Sequence, residues 1–200
     1  MPRAPAPNSD LAQQMAHAFL VNVRVNQLLL EHLDPRTWRA QIPGQKTRTI
    51  ADIFAHVHNI RRKLLRLSAP HLKMPAGLDR RKCTQKQTQK ALAESGLRCS
   101  EMLADALGPS PKTKFMRDGW ARPWPPSVAI FAYMITHEAH HRGQICILAH
   151  QLGYRLSGTV TSHMWAWERL YKECGFDLAI SKTRVSKLTQ QAKRPAEAGR

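Results

Sequence analysis

Four long stretches of this chain carry apolar residues at three- and four-residue steps, and almost none alternates apolar with polar. The first pattern lines one face of an α-helix and the second one face of a strand. The chain is therefore confined to all-helical folds. Leu11, Met15, Phe19, Val23 and Asn26 share a face, continued by Leu29, Leu30 and Leu33. A helix is expected from a cap at Asp10 to about Leu33, stopped by Pro35. Thr49 is a suitable cap for a second, to about Leu67, and Asp52 three residues on extends the capping pattern. Its stripe is Ile50, Ile53, Phe54, Val57, Ile60, Leu64 and Leu67. Thr84 opens a third helix to about Leu107, weakened by Gly96 at its centre. Pro125 and Pro126 introduce a fourth, Ser127 to about Leu152, closed by Gly153. A short fifth helix is expected over about Thr161 to Cys174. Loops of this length between long helices suit an up-and-down four-helix bundle.

The chain has 200 residues, enough for one domain with tails. The expected division is a disordered N-terminus (1–9), a helical bundle (10–176) and a basic, disordered tail (177–200). No run of 18 or more apolar residues suggests a membrane span, and the proline-rich start lacks the apolar core of a secretory signal. A cytoplasmic protein is expected. Cys83, Cys99, Cys146 and Cys174 are widely and irregularly spaced, which fits reduced thiols rather than a metal-finger or redox motif. The net charge is +17, which invites contact with nucleic acid. It gathers in the tail and in two clusters, Arg61, Arg62, Lys63 and Arg66, then Arg80, Arg81, Lys82, Lys86 and Lys90. No nucleic-acid-binding motif accompanies them, so solvated faces are the first reading and non-specific nucleic-acid contact the second.

The chemistry-bearing feature lies in helix four, in Thr136-His137-Glu138-Ala139-His140-His141-Arg142-Gly143-Gln144. His137 and His141 are four apart and project from one face about a turn apart, so both can reach one ion. His140 lies ~100° round the helix from His141. A stable site needs a third ligand. Helix two offers His56 and His58, which point to different sides. His56 falls between Ile53 and Ile60 on the inward stripe, and His58 sits with Arg61 and Arg62 nearer the polar side. His56 is the better candidate. Ten histidines in the chain make a pair at this spacing unremarkable alone, so the spacing needs support.

Two families share parts of this pattern. His137-Glu138-Ala139-His140-His141 matches the HExxH of zinc proteases, with Glu138 as general base. The longer form of that motif would need glycine and histidine where this chain has Gln144 and Ile147, and no strand is available to align a peptide. The string from His137 through Arg142-Gly143-Gln144 to Leu152-Gly153 instead resembles the HxxxHRGQ signature of the DinB/YfiT-like metalloenzymes, which are unrelated to the DNA polymerase of similar name. Thr49-Ile50-Ala51-Asp52-Ile53-Phe54-Ala55-His56 is similar to that family's second-helix segment. The resemblance runs from about Leu11 to Tyr171. It implies a four-helix bundle with a divalent metal ion held by His56, His137 and His141, and a homodimer. Characterised relatives include transferases and isomerases that use low-molecular-weight thiols, and many members have no known activity.

Three neutral imidazoles leave a cation with net positive charge and open positions, which would take the proton from a thiol or water near neutral pH. Thiol transfer to a small electrophile and hydrolysis both suit this, with zinc, nickel or iron as the ion. The alternative is a non-enzymatic, metal-stabilised protein whose basic surfaces contact nucleic acid. Around the ligands, Glu138 is expected at the surface, Arg142 paired with its i−4 neighbour Glu138, Gly143 at a close helix approach, Gln144 hydrogen-bonded within the bundle and Cys146 in packing.

Overall fold

The computed structural model describes residues 9–116, 118–119 and 121–176, with side chains from residue 13 onward. The expectations for residues 1–8 and for the basic tail fall outside the described residues, whereas Ser9 is already helical, so the first helix starts ahead of the expected cap at Asp10. The described chain is all-helical, and an isolated bridge between Phe115 and Trp124 is its one extended pairing. Helix α1 spans Ser9–Glu31, α2 Ile50–Ser68 and α3 Gln85–Ala106. The caps expected at Thr49 and Thr84 form. The Thr49 side chain accepts from the Asp52 amide while Asp52 reaches back to the Thr49 amide, and Thr84 and Gln87 do the same for α3. Each box satisfies two amides that would otherwise lack partners, stabilising its helix by about 1 kcal/mol.

The expected fourth helix is interrupted. An α-helical turn, α4 (Pro126–Ala129), runs into a seven-residue π-helical segment (Ile130–Thr136) and then α5 (His137–Gln151). The i→i+5 bonding of a π segment widens the turn, so it rotates α5 relative to a straight α-helix. Ile130 and Met134 stay in the core through the widened turns. The expected single C-terminal helix is likewise two, α6 (Gly158–His163) and α7 (Trp167–Glu173). Ala166, at ψ 63°, breaks the helical path between them.

Helix α1 packs on α3 and on the π segment, and α2 packs on α3 and α5. The interior has two large apolar regions and a smaller third, where Val21, Val25 and Leu28 of α1 meet Leu170 of α7. One large region contains Leu29, Leu30, Ile53, Phe54, Leu92, Ile145 and Ala149. The other contains Phe19, Val23, Leu65, Cys99, Met102, Ile130 and Met134. Each fully buried aliphatic or aromatic side chain contributes roughly 1.5–3 kcal/mol. Along every long helix the residues between these regions are polar and buried: Asn22 and Asn26, Arg61, Ser95 and Glu138. The close helix approach lies at Gly96, where a Cβ would stand 2.6 Å from Val23 Cγ1. Gly143 is exposed, with nothing within 4 Å of an added Cβ, so the expected approach there is not made.

Candidate metal centre

Helices α2 and α5 meet through Ile53, Phe54 and Val57 on one side and Ile145 and Ala149 on the other. His141 is four residues before Ile145 and follows it inward, with 5% of its surface exposed. His56 stands three residues after Ile53, and His137 one turn before His141; both are half-buried. The three rings converge. His56 Nε2 lies 3.3 Å from His137 Nε2, and His141 Nε2 lies 3.0 Å from the same atom. One ligand nitrogen from each histidine falls within 4.8 Å of the others, an arrangement that can hold a metal ion. A tetrahedral ion with nitrogen ligands at 2.0–2.1 Å needs neighbouring nitrogens about 3.3–3.4 Å apart. The two separations measured from His137 Nε2 lie within a few tenths of an ångström of that value.

The local chemistry prepares these nitrogens as ligands. Gln144 Oε1 accepts from His141 Nδ1–H at 2.7 Å, which leaves the Nε2 lone pair facing the other rings. This is the hydrogen bond within the bundle expected of Gln144. Burial, then the neighbouring His141 and His137, then Arg48 and Arg80, push His56 down to about 4. His141 is lowered chiefly by burial, against the Gln144 hydrogen bond that raises it. Both are therefore neutral at physiological pH, the state a ligand needs. His140 is exposed and outside the cluster.

His58 is not on a polar face. It is fully buried, its Nε2–H donates to the Ala76 carbonyl at 2.8 Å, and Nδ1 faces the Ser95 hydroxyl at 3.1 Å. Both its nitrogens are engaged, so it has none to offer an ion. Packing of α2 against α3 covers the side that looks polar in sequence.

Glu138 also departs from expectation. It is 2% exposed and forms a bidentate pair with Arg61 at 2.6 and 2.7 Å. Asn22 and Asn26 donate to its Oε2 at 2.7 and 2.6 Å. Arg142 does not bond Glu138 directly. Its Nη1 donates to the side-chain oxygens of the same two asparagines, at 2.6 and 3.1 Å. Arg61 Nη1 also donates to the Leu92 carbonyl. The network thus ties α1, α2, α3 and α5 together. Arg61, read as part of a solvated cluster, is 3% exposed. Burial alone would lower its pKa, but Glu138 outweighs burial and raises it. A carboxylate saturated by four short hydrogen bonds is no general base, so the protease-like reading fails on geometry as well as on sequence. Sequence reasoning missed this network. Its one trace was Asn26 standing on the apolar stripe of the first helix.

Two further cysteines bear on the chemistry. Burial pushes the Cys99 thiol up to about 12, and it raises Cys146 as well. Neither is an activated nucleophile. Cys146 packs half-buried against the apolar region near the histidines, as expected. Beside the cluster, Thr47, Arg48, Ile53, Gln144, Ile147 and Leu148 line a cavity of about 330 Å³.

Comparison with known proteins agrees with this fold and motif. No curated protein and no solved structure matches the chain. The model of the DinB family matches residues 8–170, which takes in all four long helical segments and the three histidines. The chain belongs to the DinB family.

Proposed function

We propose that this protein is a divalent-metal-dependent enzyme acting on a small molecule, by thiol transfer to an electrophile or by hydrolysis. The observation that carries the reading is the convergence of three imidazoles from two helices, with Nε2 separations of 3.0 and 3.3 Å. A zinc, nickel or iron ion held there supplies Lewis acidity that makes a thiol or water nucleophilic near neutral pH. The protein's own part is positional. Gln144 fixes the His141 ring, burial keeps His56 and His141 unprotonated, and the buried Glu138 network anchors the start of α5. The homodimer implied by the family and a cytoplasmic location belong to the same proposal. Among the described residues, no helix is long and apolar enough to cross a membrane.

Nucleic-acid binding through the basic clusters is the weaker reading. Arg61 is spent on Glu138, Arg62 Nε donates to the Pro75 carbonyl, Lys63 pairs with Asp118 and Arg80 lies 3.8 Å from Asp52. That reading predicts salt-sensitive retention of DNA or RNA that survives loss of the histidines.

Elemental analysis of purified wild type and His137→Ala tests the proposal. Stoichiometric metal in the wild type and its loss in the variant support it, with thiol-conjugation assays on electrophiles to follow. Near-zero metal in both rejects it.

A further inference from the structure

The cavity beside the histidines has a composition that specifies a ligand. Ile53, Ile147 and Leu148 supply apolar wall, and Ile147 leaves 59% of its surface exposed. Two donors also line it. Arg48 is exposed, and no hydrogen bond or ion pair engages it among the described residues. Thr47 Oγ1 is shielded from solvent and also lacks a hydrogen-bond partner. No carboxylate is among the lining residues. Gln144 belongs both to this wall and to the histidine cluster, through its bond to His141. The Arg48 charge acts on His56 and on His141, so the guanidinium stands within electrostatic reach of both. A volume of about 330 Å³ is at the small end of ligand pockets.

We infer that Arg48 and Thr47 form an anion-recognition subsite selecting a small substrate with a carboxylate on an apolar body, its reacting group directed to the histidines. The inference rests on the proposed role of the histidine centre and adds the substrate class. A guanidinium fork matches the two oxygens of one carboxylate. A buried hydroxyl without a partner is costly until a ligand oxygen supplies one. The three aliphatic side chains bury an alkyl body but give no directional contact, so the anion sets orientation.

The test is calorimetric titration of the full-length protein with hexanoate and with hexanamide, which share length and differ in charge. The expected result is a preference for hexanoate of about tenfold or more. Arg48→Gln removes this preference and Thr47→Val weakens hexanoate binding, while metal content is unchanged in both variants. After chelation the preference persists and still depends on Arg48. Equal affinity for the two probes, or no binding of either, overturns the inference. So does a preference that survives Arg48→Gln but is lost on chelation, because the carboxylate is then held by the ion. Absence of metal from the wild type would sink the functional reading instead and leave the Arg48 comparison readable on the chelated protein.

Discussion

Within one five-residue stretch, His137 and His141 belong to one region and Glu138 to a neighbouring one that treats polar atoms in the opposite way. At the histidine cluster, half-buried nitrogens point at one another with lone pairs facing a common point. In the Glu138 network, both carboxylate oxygens are engaged by Arg61, Asn22 and Asn26, and Arg142 donates to the same two asparagines. The first region gathers ligand nitrogens where an ion could sit. The second is saturated and rigid. The contrast teaches that the acid of an HExxH string need not act on the ion its histidines hold. Here the helix turns Glu138 into the core while the histidines face α2.

The largest expected effect is on stability at the saturated region. Glu138→Ala leaves Arg61 buried without its anion, and unfolding in urea is expected to lose about 3–5 kcal/mol. His137→Ala in chelator should lose far less. Equal losses would erase the distinction between the regions. Next is the link that orients a ligand. Gln144→Leu removes the acceptor for His141 Nδ1–H and should weaken metal affinity about 10–100-fold with little change in fold. Unchanged affinity in competition with a chromogenic chelator would show that the ring is held by packing alone.

The smallest effect is on the pH dependence of the metal-free protein. His56 is pushed from the usual 6.5 to about 4, and His58 and His141 are lowered too, all three by burial first. The unfolded chain therefore takes up protons between about pH 6.5 and 4 that the folded chain refuses. Stability is fully present above about pH 6.5 and is lost as pH falls toward 4. His56→Gln should flatten part of this slope in unfolding curves taken across that range. An identical slope would mean that His56 is not held neutral by its surroundings.

Much of this was legible in the sequence, for local reasons. Thr49 with Asp52, and Thr84, announce helix starts through side chains that reach only three residues. His137 and His141 share a face because helix geometry requires it, and His56 falls on a stripe with Ile53 and Ile60. What stayed hidden depends on partners distant in sequence. Arg61 and Glu138 are 77 residues apart, so each alone resembles a solvated charge. His58 appeared polar because the carbonyl of Ala76 and the hydroxyl of Ser95 that receive it lie on other segments. The π segment has no composition of its own. Ile130 to Thr136 is apolar and β-branched like many helices, and its widened turn shows only in the backbone. Gly96 and Gly143 are alike in sequence, and only the position of Val23 tells which one a neighbour needs.

The central claim is that His56, from a different helix, completes the centre begun by His137 and His141. Zinc titration of metal-stripped wild type against a competing chelator, repeated for His56→Ala, tests it most directly. The account predicts about one tightly bound ion per chain in the wild type and loss of that tight binding in the variant, with the helical circular dichroism spectrum intact. Zinc binding of undiminished affinity and stoichiometry in His56→Ala would contradict it.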